Sequence, residues 1–376
     1  SSKPAISDMI KTNQNYVIVG MIGVSLLFFA IMFAYVDSSD TTVEYTEDPP
    51  KPVPLNERQI CMIADPEPND DLYSLESCKP ADEFTAEDSL QLNVLVNYAL
   101  NLINKDRTEN GLDEVVMGNN NAAQQHADNL IETCNAKSHY GSIGMKPYMR
   151  YTLSGGNGFV RETVKGFSLP PDMISNGYSI HWDEDSVNKV LTHMHYQILN
   201  DDADSEFFNL NNTLTPYNNK INIGIAWNEN CFTYVQNFES DYINWNTYPS
   251  FDSENILTLS GTINVEDFDI TDIQVDFDDP PQELSIRDKK HRAEKYYYGD
   301  VAGCMLPPPE SHGECGNVKL LSWNVNSDGK VTTFEIKADF SRPIEINDEG
   351  VYTVFVSGET SDGTRMNLST ISIFLK

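Results

Sequence analysis

His193 and His195 offer two imidazoles one residue apart, a pairing that a metal ion can use only if both rings face it. The apolar positions around them, Val187, Val190, Leu191, Met194 and Ile198, recur at helical spacing. Two residues along a helix turn side chains about 200° apart, so this pair cannot share one ion. Asp202, Asp204 and Glu206 open like a calcium-binding EF-hand loop. Phe207 stands where that loop needs glycine and Thr213 where it needs its closing glutamate, which excludes it. His126 falls on the apolar face of another helical stretch, the place of a core histidine. No Ser/His/Asp motif, phosphate-cradling loop or dinucleotide turn occurs. Asn211 in Asn-Asn-Thr and Asn367 in Asn-Leu-Ser are glycosylation sequons.

Charge narrows the partners. The 376 residues carry 57 acids against 25 bases, a formal charge of −32. Such a surface is repelled by nucleic acid and anionic lipid and is well solvated in salt. Six cysteines, all beyond residue 60, fit an oxidising compartment. They allow 15 connectivities; the expected pairs are Cys61–Cys78, Cys134–Cys231 and Cys304–Cys315, two short loops and one tie between a helix and a hairpin.

The elements that must position any site follow from patterning. Tyr16 to Val36 is an uncharged apolar run long enough to span a bilayer as a helix. Lys3 and Lys11 precede it, and Asp37, Asp40, Glu44, Glu47 and Asp48 follow, which predicts a signal anchor with its N-terminus cytoplasmic. An acidic, Pro-rich stalk and lead-in comes next. Helices are predicted behind the capping box at Thr85, over Ala122–Ile131, and behind Asp183-Glu184-Asp185. Residues 138–180 show no sustained period and are expected as a long loop. Ile221–Trp227 and Cys231–Phe238 alternate as a β-hairpin. From residue 256 short strands dominate, which implies a β-sandwich, and Asp348-Glu349-Gly350-Val351-Tyr352 resembles the tyrosine corner of immunoglobulin-like folds.

The order of four blocks then resembles the CAP superfamily, named for cysteine-rich secretory proteins, antigen 5 and pathogenesis-related proteins. They are Leu102-Ile103-Asn104-Lys105-Asp106-Arg107 with Gly111-Leu112, Ala122 to Leu130 (AAQQHADNL), Ser138-His139, and the closing hairpin INIGIAW with CFTYVQNFE. In that family two histidines and two acids in a cleft bind a divalent metal in some members. The resemblance places His139 at the first histidine and Glu162 at an acid, with Glu206 or Ser205 standing where the second histidine is missing. The second acid has no counterpart, so neither a metal nor another cofactor is expected.

The expected fold is therefore α+β: an α/β/α CAP-like sandwich over 85–240, a linker over 241–255 and an immunoglobulin-like β-sandwich over 256–376. A tail (1–15), a transmembrane helix (16–36) and the stalk and lead-in (37–84) precede them. The expected protein is a single-pass cell-membrane protein with an extracellular C-terminal ectodomain. Its expected role is non-catalytic, a ligand-binding or envelope-associated module whose partners are the membrane through 16–36 and an extracellular ligand or envelope protein. A hydrolase or peptidase using His139 with an acid is the alternative, and an accessory subunit of a membrane complex the third reading.

Overall fold

Local sequence decides where the chain turns regular. The computed structural model describes residues 53–54, 57–64, 75–83, 90–200, 208–284, 295–309 and 315–376. Strands β1 (Gln59–Ile63) and β2 (Leu75–Pro80) pair antiparallel and are joined by the Cys61–Cys78 disulfide. Helix α1 (Leu92–Glu109) buries Leu95, Ala99 and Ile103 at four-residue spacing, and with them Arg107. The expected capping box at 85–88 lies outside the described residues. After the short β3 (Val116–Met117), α2 (Ala122–Glu132) presents Ala123, Ala127 and Leu130 on its buried face. Helix α3 (Pro147–Leu153) begins on a proline, which has no N–H to leave unsatisfied there. There follow β4 (Phe159–Ser168), α4 (Pro171–Ser175) and β5 (Tyr178–Ile180). Helix α5 (Glu184–Asn200) is capped by Asp183, whose carboxylate accepts from the Ser186 N–H at 2.7 Å. Helix α6 (Phe208–Leu214) leads into the hairpin of β6 (Lys220–Trp227) and β7 (Cys231–Ser240).

These strands make a sheet of order β3-β6-β7-β4, and β5 instead joins β1 in a second, small sheet. One face of the larger sheet packs on α1 and α5 through Ile221, Ile223, Tyr234 and Phe238. On the opposite face Val164 and Val235 meet Ala123 and Ala127 of α2. Gly224 permits that approach, since a Cβ there would lie 2.1 Å from the Ala123 carbonyl oxygen. Arg107 is fully buried; its guanidinium donates to the carbonyls of Asp113, Thr213, Thr215 and Asn218, tying α1 to the segment before β6. The Cys134–Cys231 disulfide ties the end of α2 to β7.

Beyond Ser240 come β8 (Ile243–Phe251), β9 (Ile256–Ile263), β10 (Phe268–Asp278), β11 (Asp300–Met305), β12 (Lys319–Ser327), β13 (Thr332–Asp339), α7 (Ser341–Asn347), β14 (Gly350–Thr360), β15 (Arg365–Asn367) and β16 (Ile371–Leu375). Two sheets result, β12-β13-β9-β8 and β11-β10-β14-β15 with β16 also on β14. Leu257, Leu259, Phe334 and Ile336 of the first meet Ile273, Val275, Val354 and Val356 of the second in one apolar core. The Tyr352 hydroxyl donates to the Asp348 carbonyl at 3.0 Å, and Cys304–Cys315 closes its short loop.

Two expectations are corrected here. Among the described residues the fold is mostly β, with four sheets and 41% strand against 26% helix, unlike an α/β/α CAP sandwich preceded by a transmembrane helix. The excess strand lies where no alternation is visible in the sequence. β4 runs through the expected loop region and is buried on nearly every residue, while β8 occupies the expected linker. The second correction concerns location. Among the described residues no helix is long and apolar enough to cross a membrane, so a single-pass cell-membrane assignment is not supported. The longest, α1, carries asparagines and charges along its exposed side. The expected span, 16–36, falls outside the described residues with the tail and most of the stalk. Residues Val53–Lys376 form one compact unit, so both halves share it.

Candidate functional site

Strand β4 places one carboxylate in the interior. Glu162 faces Asn237 of β7 in register and is 2% exposed. A buried carboxylate must be paired and hydrogen-bonded to stay ionised; three side chains supply this, with His126 close by. Arg150, from α3, brings its Nη2 to 3.0 and 2.8 Å of the two oxygens. His139 Nδ1 stands 3.1 Å from Oε1 and His126 Nε2 3.8 Å from the same oxygen. The Asn237 amide, turned with its nitrogen toward the carboxylate, donates to Oε2 at 3.2 Å.

The proton positions follow from the partners. A carboxylate can only accept, so His139 carries its proton on Nδ1. His126 Nε2 lies 2.8 Å from the Ser138 carbonyl, which also only accepts, so its proton is on Nε2. Its Nδ1 is then a buried acceptor with no partner, as Arg150 Nε is a buried donor with none. Burial, with Arg150 beside it, depresses His126 to about 3, and the ring is neutral. Burial pushes Glu162 upward, but Arg150, His126 and His139 together outweigh it and hold the carboxyl at about 2.

The cluster sits against the C-terminal half. The Tyr296 hydroxyl accepts from the Glu162 backbone N–H at 3.3 Å, and its ring lies 5.1 Å from that of His139. Arg150 Nη1 donates to the His139 carbonyl at 2.9 Å, which holds the loop after α2 against α3. Beside it, Lys146 and Tyr148 both reach Asp278 of β10, at 2.5 and 2.6 Å. Tyr148, Met149, Tyr151 and Val160 pack with Val351 of β14 in a small core between the halves.

The structure thus brings His139 and Glu162 into contact, and Glu206 lies outside the described residues. His193 and His195 diverge as expected. Gln197 Nε2 donates to His193 Nε2 at 3.0 Å, while His195 Nε2 meets the Asp106 carboxylate. Burial lowers His195, with Asp106 pulling the other way. Sequence reasoning missed Arg150, His126 and Tyr296 as members of the cluster. The only signal for Arg150 was a lone cation in the otherwise uncharged helix PYMRYTL. Among the described residues no group of three or more His, Cys, Asp or Glu could hold a metal ion. The Ser138 hydroxyl contacts the backbone of Tyr140 rather than His139, and every cysteine is in a disulfide. No family model and no curated protein matches this chain, and nothing in the structure identifies a CAP domain.

Proposed function

We propose that this is an extracellular, non-catalytic binding protein, associated with an envelope or another external ligand. The observation that carries the reading is the saturation of Glu162: a guanidinium, an imidazole and an amide take up its oxygens, and Tyr296 covers the imidazole. A hydrolase needs a nucleophile or activated water within reach of its base. The cluster instead has the form of a scaffold that fixes the loop after α2 and the junction between the halves. Three disulfides support an oxidising, extracellular setting.

The test is a panel of fluorogenic peptide and ester substrates with the full chain and its His139→Ala variant, together with calorimetric titration of zinc. The expected outcome is no turnover that depends on His139 and no tight one-to-one zinc binding. Turnover abolished by His139→Ala, in a variant whose thermal unfolding is unchanged, would overturn the proposal in favour of a hydrolase.

A further inference from the structure

We infer that Lys146 and Asp278 are the partners of an intramolecular isopeptide bond, an amide from Nζ to Cγ that joins the two halves of the molecule covalently. Strand alternation prepares one partner. Ile273, Val275 and Phe277 of β10 turn into the sandwich core, so Gln274, Asp276 and Asp278 share the opposite face, beside Phe355, Thr353 and Val351 of β14. That face meets α3. Lys146, at the head of the helix, brings Nζ to 2.5 Å of Asp278 Oδ1 and donates to the Tyr297 carbonyl at 2.7 Å. The Tyr148 hydroxyl donates to Oδ2 at 2.6 Å, which fixes the carboxyl while the amine faces its other oxygen.

The surroundings favour condensation over a lasting ion pair. Asp278 is 9% exposed and Asp276 3%, and the rings of Tyr296 and Tyr298 lie 6.4 and 5.3 Å from that of Tyr148. Burial penalises a charged pair against its proton-transferred form, an amine beside a carboxylic acid. Holding the two groups together also replaces a bimolecular encounter. Asp276 is raised to about 6 by burial, with Gln274 pulling the other way and Asp278 adding to the rise. In its neutral form it adds no charge that would keep the proton on the lysine.

The step balances without a co-reactant. The ammonium gives one proton to Oδ1, and the amine lone pair attacks Cγ. The Cγ–Oδ1 bond then breaks, and the hydroxyl leaves as water with a second proton from nitrogen. Oδ2 becomes the amide oxygen, and the Tyr148 hydroxyl is placed to stabilise the charge it carries on the way.

A second lysine–aspartate pair marks what is particular here. Lys220 Nζ also lies 2.5 Å from Asp241, but those side chains are 34% and 20% exposed, against 18% and 10% for Lys146 and Asp278. The acid beside that pair, Glu239, accepts from Tyr151 and Asn222 instead. The three disulfides each lie within one half, so the isopeptide bond is the covalent tie across the junction.

Mass spectrometry of the full chain, reduced, denatured and digested, tests the inference. The expected result is a branched peptide in which Lys146 is joined to Asp278, lighter than the sum of its two arms by one water. Lys146→Arg, which keeps the cation, and Asp278→Ala each abolish it, whereas Lys220→Arg leaves it in place. Two linear peptides of full mass from the unaltered chain would overturn the inference. So would a deficit of one water carried by a linear peptide containing Asp278, the mark of a succinimide, or a branched peptide that persists in Lys146→Arg.

Discussion

Within Val53–Lys376 the α2 side of the first half and the sandwich of the second bury opposite kinds of interior, while the α1 and α5 side of the first half has an apolar core of its own. Under α2 and α3, the β3-β6-β7-β4 sheet encloses Glu162, Arg150, His126 and His139 beside a few alanines and valines. Between the sheets of the C-terminal sandwich, the core is chiefly leucine, isoleucine, valine and phenylalanine, with Tyr352 buried among them. Apolar packing is insensitive to direction, whereas a buried charge tolerates only the geometry that pairs it. The contrast indicates that the first interior sets the loop after α2 and the junction in one arrangement, while the second contributes bulk stability.

The sharpest way to break this comparison is Arg150→Ala. It leaves Glu162 buried without its main partner and frees the His139 carbonyl, for an expected loss of roughly 3–5 kcal/mol. Denaturant unfolding measures it. Adding Glu162→Gln should restore part of that loss, and no restoration would show that the arginine acts by packing alone.

The second test is pH, because the carboxyls of Glu162 and Asp276, one from each half, shift in opposite directions. Glu162 is lowered from 4.5 to about 2, so its contribution is present above 4.5 and is lost as pH falls toward 2. His126, depressed from 6.5 to about 3, acts in the same direction: below 6.5 the unfolded ring takes a proton that the folded ring refuses. Asp276 is raised from 3.8 to about 6 by burial, so its contribution is present below 3.8 and lost as pH rises through 6. Urea midpoints from about pH 3 to about pH 8 should therefore show Glu162→Gln flattening the acid limb. Asp276→Asn should gain stability only on the neutral side. The smallest effect is Tyr352→Phe, which removes the hydroxyl bond to Asp348 and should cost about 1 kcal/mol in thermal unfolding, leaving the cluster untouched.

Legibility in the sequence followed the same division. Helices α1, α2 and α5, the β6–β7 hairpin and the later strands of the sandwich each bury one face, and their periodicity marked them. The Tyr352 bond and all three disulfide pairs agree with expectation; the corner motif and the short loops Cys61–Cys78 and Cys304–Cys315 are local constraints, whereas Cys134–Cys231 spans 97 residues and was expected as a tie between a helix and the hairpin. β4 was not legible: buried on both faces and interrupted by Arg161, Glu162 and Lys165, it has neither alternation nor an apolar run. β8 was read as a linker because its bulges break the register with β9. His139 and Glu162 could be named from a motif, but Arg150 reaches them from 12 residues before Glu162 and Tyr296 from 134 residues beyond it, contacts that no local pattern encodes.

The Cys134–Cys231 bridge has a further meaning for how such a molecule meets proteases. Its loop of 97 residues contains His139, Arg150 and Glu162, and the other two bridges each enclose a segment of their own. A protease that cuts once inside any of the three loops separates nothing, because both new ends stay covalently attached to the same body. Damage would accumulate silently, as nicks that run at full length on a non-reducing gel and fall into fragments only when a reductant arrives.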